Sequence, residues 1–278
     1  MLDQNDLNRE AAAAGFRPEA LEKVLRLVEL LEGLRSHPFL KTRIALKGGT
    51  ALNLFIFDVP RLSVDIDLNY IGALDRKTMV EERPKLDQAI QAVCGRQGLQ
   101  VKRGPTDHAG GKWRLSYTTI AGRPGAIELD VNFMLRSPLW PPVTIDSKRI
   151  GPFGATKIPV LDVHELASGK LAALLARTAS RDVFDVRELL GTVPLDRKKL
   201  RLGFVVYGGI NRRDWRTVSV EDVKVDPVDV EQQLVPLLRT PLAPARKNLI
   251  QWSKQLATEC RERLSVVLPF TAKELEFL

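Results

Sequence analysis

Apolar positions recur at helical spacing in some stretches of the chain and alternate with polar positions in others. The helical spacing is clearest from Pro18 to about Arg35, where Pro18 suits a first helical turn. A second helix is predicted near 6–13, and a long amphipathic one over 76–97, which Pro84 either kinks or divides. Extended segments are predicted at about 44–46, 63–70, 99–103, 112–120 and 126–135. The turn sequence AGRPG favours an antiparallel hairpin between the last two.

Prolines and glycines between 138 and 154 interrupt this pattern, and a domain boundary is predicted near Pro159. Asp162 and Glu165 resemble a capping box at the start of the helical sequence that follows. We predict helices at about 162–177, 181–190, 196–202, 228–238 and 245–264, with a strand at 204–207. The fold class is therefore α/β (α+β): a mixed-sheet domain over 1–158 and a mainly helical lobe over 159–278.

Composition narrows the class of protein. The 42 Lys and Arg residues against 34 Asp and Glu give a net charge of +8, which favours an anionic partner. Cys94 and Cys260 have no CxxC neighbour, and the three histidines lie far apart in sequence, so neither a disulfide scaffold nor a zinc site is expected. The acidic first residues and the absence of a long apolar run indicate a cytoplasmic protein with no membrane contact.

The chemistry centres on the stretch KGGTALNLFIFDVPRLSVDIDLNY. In an extended strand, Asp65 and Asp67 point to one side while Ile66 faces the other, and two carboxylates on one face need a cation. Asp130, on the later strand AIELDVNFML, is a third acid that could reach them. Hard oxygen ligands of this kind suit Mg²⁺, which serves phosphoryl and nucleotidyl transfer.

Other residues add groups that bind phosphate. Gly48 and Gly49 precede a helix predicted to start at Thr50, where backbone N–H groups and the helix dipole favour a triphosphate. Lys170 and Arg177 are seven residues apart and are predicted to share a helix face, where they would balance phosphate charge. We expect Asp182 to orient a reacting group or the side chains of Lys170 and Arg177.

Four segments, LKGGTAL, RLSVDIDL, KLAALLAR and RDVFDVREL, occur in an order that resembles the AbiEii/AbiGii nucleotidyltransferase toxins, within the DNA polymerase β-like superfamily. The resemblance covers about 47–190. It implies a polymerase β-like core and a toxin of a toxin–antitoxin or abortive-infection system. Such a toxin uses Mg²⁺ to transfer nucleotides from an NTP to RNA, with the 3′ end of tRNA as acceptor, and is countered by a cognate antitoxin.

The resemblance also implies roles for residues. The nucleotide site would comprise Gly48, Gly49, Thr50, Ser63, Lys170 and Arg177, the metal site Asp65 and Asp67, and the catalytic set these two acids with Lys170 and Asp182. Asp130 comes from the third carboxylate of the wider superfamily and joins the metal and catalytic sets. Ser63 precedes Asp65 by two residues, so its phosphorylation would add charge beside the acids and inactivate the enzyme, offering a route for antitoxin control.

Simpler interpretations stay open at this stage. Asp130 could be an ordinary strand residue facing solvent, Lys170 and Arg177 the wet face of a helix, and Asp182 a helix cap. Two other functions also remain. An aminoglycoside-type small-molecule nucleotidyltransferase would need an acidic acceptor pocket, whereas this chain is basic. A non-catalytic RNA- or protein-binding module on the same fold would be expected to have lost some of the acids.

Overall fold

The chain begins with a pair of helices whose ends follow from local chemistry. The computed structural model describes residues 2–104, 110–177 and 179–278. Helix α1, Gln4–Ala14, is capped by the Asp3 carboxylate and ends at Gly15 in the left-handed conformation. Helix α2, Pro18–Ser36, buries a continuous leucine- and valine-rich face. The remaining helices of the first half are α3, Gly48–Ala51, and α4, Arg76–Arg96.

The strands form a mixed sheet, which confirms the predicted α/β class. They are β1 Ile44–Lys47, β2 Ile66–Tyr70, β3 Gln100–Arg103, β4 Gly110–Thr118, β5 Pro124–Asn132, β6 Val143–Ile145 and β7 Ile158–Val160. Across the described residues their order is β3-β4-β5-β2-β1-β7-β6. The pairs β2–β5 and β1–β7 are parallel and the other neighbours antiparallel, including the predicted β4–β5 hairpin.

Three local predictions about the first half need correction. Helix α3 begins at Gly48, not Thr50, and continues as a π-helical turn over Leu52–Ile56. Helix α4 is one helix that contains Pro84. Strands β6 and β7 were not predicted, because three residues are too few to show an alternating pattern and β7 is defined by its pairing with β1.

The second half is helical in the part that the structure describes. Its helices are α5 Val163–Ala176, α6 Ser180–Thr192, α7 Arg197–Gly209, α8 Pro227–Asp229, α9 Leu249–Arg263 and α10 Ala272–Phe277. The predicted strand at 204–207 is wrong, since it lies inside α7. The predicted helix at 228–238 is instead α8, a π-helical turn over Val230–Leu234 and a 3₁₀ turn over Val235–Leu237.

Contacts between residues divide the chain into two compact units, Met1–Leu161 and Asp162–Leu278. The whole sheet belongs to the first unit, and α5 to α10 belong to the second. The predicted division into domains 1–158 and 159–278 stays a prediction about independently folding parts. Among the described residues, no helix has both the length and the apolar character that crossing a bilayer requires.

Candidate active site

A row of four charged residues crosses the sheet of the first unit. The strand register aligns Lys112 of β4 with Asp130 of β5, Asp130 with Asp67 of β2, and Asp67 with Lys47 of β1. Side chains at aligned positions of neighbouring strands stand on the same face, about 5 Å apart. We call Lys112, Asp130, Asp67 and Lys47 the charge row.

The opposite face fixes the orientation of this row. The adjacent aligned positions, Trp113, Leu129 and Ile66, are fully buried. Because a shift of one residue would exchange the two faces, this buried apolar set holds Asp67 and Asp130 on the polar side. The expectation that Asp130 reaches the Asp67 face therefore agrees with the geometry, while its role as a metal ligand stays a prediction.

The carboxyl groups of the row influence one another. Partial burial and the nearby charge of Asp67 raise the pKa of Asp130 above its usual range, although Lys112 opposes this shift. The Lys112 Nζ lies 3.5 Å from Asp130 Oδ2. Two carboxylates side by side on one face are chemically suited to a divalent cation.

Asp65 lies just before β2, where it has a separate cationic partner. The Nζ of Lys23, on α2, is 3.9 Å from Asp65 Oδ1. The Thr50 hydroxyl donates a hydrogen bond of 2.5 Å to the Asp65 carbonyl oxygen and so fixes the backbone at this point. Among the described residues, no three His, Cys, Asp or Glu side chains already form a metal cage. The sequence did not indicate Lys23, since it is more than forty positions from the acids.

The glycine pair packs directly against the acidic strand. Gly48 has φ +72°, and a Cβ there would collide with the Asp67 carboxylate. A Cβ on Gly49 would lie 2.9 Å from the Ser63 Oγ, and the Asn53 amide donates to the Gly49 carbonyl at 3.0 Å. Ser63 is only 8% exposed. Neither glycine position has room for a side chain, so the turn lies in direct contact with Asp67 and Ser63. The hard oxygen atoms of these two residues, together with Asp130 aligned with Asp67, fit a divalent cation.

In the second unit, a buried lysine lies between two buried carboxylates. The Lys170 Nζ is 3.0 Å from Asp182 Oδ1 and 2.9 Å from Asp185 Oδ2. The Arg177 Nε is 2.8 Å from Asp182 Oδ2. Burial raises the pKa of Asp182, but Lys170 and Arg177 together hold that pKa below its usual range. We call Lys170, Arg177, Asp182 and Asp185 the ion cluster.

The ion cluster differs from the sequence predictions in two respects. Arg177 does not share a helix face with Lys170, because α5 ends at Ala176 and Arg177 has extended backbone angles. Its guanidinium nevertheless reaches Asp182, which also binds Lys170. Asp185 was missed, although its place three residues after Asp182 in RDVFD puts both acids on one face of α6.

The start of α5 agrees with the predicted capping box at Asp162 but not at Glu165. Asp162 caps the helix through the His164 N–H, but Glu165 accepts a hydrogen bond from the Tyr207 hydroxyl at 2.9 Å and does not complete a capping box. The His164 Nδ1 lies 2.8 Å from Asp162 Oδ1, and its Nε2 accepts from the Asp196 N–H at 2.9 Å. His108 lies outside the described residues.

Comparison with known proteins connects these features to a family. A family model described as nucleotidyl transferase AbiEii toxin, type IV toxin–antitoxin system, matches residues 29–258. No curated protein matches the chain.

Solved structures share the fold at low sequence identity. MenT4, a nucleotidyltransferase toxin from Mycobacterium tuberculosis, is 20% identical with a TM-score of 0.65, covering 100% of this chain and 93% of MenT4. A candidate nucleotidyltransferase from H. pylori is 16% identical with a TM-score of 0.58, covering 94% of this chain and 98% of that protein. Since the family model spans well over half of the sequence, the chain belongs to the AbiEii family of nucleotidyl transferase toxins of type IV toxin–antitoxin systems.

Proposed function

We propose that this toxin uses Mg²⁺ to transfer nucleotides from an NTP to the 3′ end of tRNA, which blocks translation and growth in the cytoplasm until a cognate antitoxin counteracts it. The observation that carries the proposal is the alignment of Asp67 with Asp130 at the point where the glycine turn packs directly against Asp67. Acids on adjacent strands next to a glycine turn suit the metal-dependent transfer of a nucleotidyl group from a triphosphate to a hydroxyl.

The proposed division of labour follows the chemistry of each group. Asp65, Asp67 and Asp130 would hold the metal, and Gly48 and Gly49 would bring backbone and a buried Ser63 close to the triphosphate. When bound, Mg²⁺ supplies charge neutralisation and alignment of the reacting oxygens. Lys170 and Arg177 would supply positive charge to the NTP, with Asp182 orienting them. The Thr50 hydroxyl, which binds the Asp65 carbonyl, would position that acid.

The reaction itself needs one proton acceptor. The 3′-hydroxyl of the acceptor attacks the α-phosphorus, the bond to the β-phosphate oxygen breaks, and pyrophosphate leaves. Of the two acids proposed for the hydroxyl proton, Asp130 has the raised pKa and Asp182 the lowered one. Because a stronger base accepts the proton more readily, we assign Asp130 to this step and Asp182 to orientation.

Incubation of the protein with total tRNA, Mg²⁺ and each radiolabelled NTP in turn tests the proposal. We expect 3′-labelled tRNA from at least one NTP, and a loss of at least about 100-fold in Asp67→Asn. Asp130→Asn should lose activity in the same way, and Glu128→Gln is its matched control, because Glu128 lies on the Asp130 side of β5 with 38% exposure against 40% for Asp130. Equal labelling by Asp67→Asn, or labelling of an aminoglycoside but no RNA, would contradict it.

Phosphorylation of Ser63 is proposed as one route of antitoxin control. Its Oγ lies where a Cβ on Gly49 would contact it, so a phosphate of about −1.5 to −2 charges would occupy the space proposed for the triphosphate. A stoichiometrically phosphorylated sample should lose transfer activity, and Ser63→Ala should resist inactivation. Full activity of the phosphorylated protein would exclude this mechanism.

A further inference from the structure

The charge row contains a lysine that the proposed mechanism does not use. Lys112 is aligned with Asp130 across the β4–β5 pair, and its side chain is 62% exposed. At 3.5 Å from Asp130 Oδ2, its ammonium forms a loose ion pair at the outer edge of the acids. An exposed pair of this kind contributes little to stability, so little opposes the exchange of Asp130 for another partner.

The position of Lys112 matters more than this weak pairing. Asp130 lies between Lys112 and Asp67 in the register, so Lys112 is one strand away from Asp130 and two strands from Asp67. A lysine stem of four methylenes spans about 6 Å, which is more than the spacing between neighbouring strands. The ammonium can therefore reach any anion that is bound above Asp130.

The charges around Asp130 indicate when the Lys112 ammonium would turn to a bound anion. In the nucleotide-free enzyme, the Lys112 ammonium neutralises the Asp130 carboxylate. A divalent ion on Asp67 and Asp130 takes over that neutralisation and repels the ammonium, while an NTP brings several negative charges to the same face. The favourable partner for Lys112 then changes from the carboxylate to phosphate.

We propose that Lys112 is a nucleotide-binding residue that pairs with Asp130 in the nucleotide-free enzyme and transfers its ammonium to the triphosphate when metal and NTP bind. This inference rests on the proposed metal and nucleotide site. It makes two predictions of opposite sign. Removing the ammonium should strengthen binding of a metal ion alone, because a competitor for Asp130 is lost, and should weaken binding of a polyphosphate.

Inorganic tripolyphosphate serves as the probe, because it does not depend on which base the enzyme prefers. In Lys112→Met, Mn²⁺ binding without polyphosphate, measured by electron paramagnetic resonance, should tighten about two- to fivefold. Binding of tripolyphosphate at saturating Mg²⁺, measured by calorimetry, should weaken about tenfold or more. Lys112→Arg should keep most of the tripolyphosphate affinity.

Arg114→Met is the matched control. Arg114 lies two residues along the same strand, pairs with Glu128 at 3.8 Å and is 63% exposed, so it reproduces the exposure and cross-strand pairing of Lys112 away from the acids. It should change neither affinity by more than about twofold. Circular dichroism melting confirms that each variant is folded.

The outcomes separate this inference from the proposed function. Unchanged tripolyphosphate affinity in Lys112→Met would overturn the inference and leave the proposed site intact. The same conclusion would follow if Arg114→Met lost as much tripolyphosphate affinity as Lys112→Met does. Asp67→Asn tests the site itself: it should lose Mn²⁺ binding. If Asp67→Asn binds Mn²⁺ and tripolyphosphate as well as the unaltered protein does, the proposed site fails and the role of Lys112 fails with it.

Discussion

At Gly48, one missing side chain decides how closely the glycine turn approaches Asp67. The residue has φ +72°, and a Cβ there would overlap the carboxylate. Gly48→Ala should therefore lower the free energy of unfolding by at least about 2 kcal/mol, combining left-handed strain with displacement of Asp67. Nucleotidyl transfer should fall by at least about tenfold, since small displacements of a metal-binding group are costly.

Gly98→Ala provides the control for that substitution. Gly98 has φ +69°, but no atom lies within 4 Å of the position that a Cβ would take, so its replacement by alanine carries the left-handed strain alone, about 1 kcal/mol. Urea unfolding and the tRNA labelling assay measure both variants. Equal losses of stability and activity in the two would show that the contact with Asp67 has no importance.

The sequence predicted the residues of the acidic site better than their partners. Alternation predicted that Asp67 faces away from Ile66, and turn chemistry predicted the hairpin that contains Asp130. The predicted strand over 63–70 begins only at Ile66, so Asp65 lies in a bend before β2 and a shared strand face with Asp67 stays a prediction. Which residue of β5 aligns with Asp67 depends on the register of a parallel pair formed by distant strands, and no local pattern encodes it. Lys23 was missed because the packing of α2 beside Asp65 is also a long-range contact. Lys112 lies in the predicted hairpin, but its alignment with Asp130 depends on the exact register of that hairpin.

At the scale of elements, the packing of α5 against α7 explains why a glycine, Gly169, lies in the interior of a helix. A Cβ on Gly169 would lie 3.3 Å from the Tyr207 ring, so the glycine makes room for that ring, and the Tyr207 hydroxyl binds Glu165. The strand predicted at 204–207 failed because its β-branched and aromatic residues suit either structure. In the structure this segment is helical, because its buried positions recur at helical spacing and their packing decides the conformation. These positions are Leu200, Gly203, Phe204 and Gly208.

The ion cluster joins α5 to α6, and its removal should cost stability. Asp185 is fully buried against Lys170, so Asp185→Ala leaves the ammonium with one of its two carboxylates. We expect a loss of about 3 kcal/mol in the free energy of unfolding. Glu188 lies on the same helix but forms its ion pair with the partly exposed Arg187, so Glu188→Ala should lower the free energy of unfolding by less than about 1 kcal/mol. Similar midpoints in urea for the two variants would contradict a structural role for Asp185.

At the scale of the whole molecule, the excess of positive charge is only partly available to a partner. Two basic residues of α9 are used inside the second unit: Arg261 donates to the Val223 carbonyl and Arg263 to the Arg187 carbonyl. Folding contacts of this kind cannot be distinguished from ligand contacts in a sequence, because both require an arginine on a helix. The net charge of +8 still favours an anionic acceptor.

That charge gives a final prediction about the acceptor. If tRNA is held through its phosphates, binding releases counterions, so its affinity should fall at least about tenfold between about 50 and 200 mM salt. Fluorescence anisotropy with labelled tRNA measures this, and Asp67→Asn separates binding from chemistry because it should keep the same salt dependence while transferring no nucleotide. A tRNA affinity that does not change with salt would mean that the backbone is not the recognised feature. The positive net charge of the chain would then no longer favour RNA over a small-molecule acceptor.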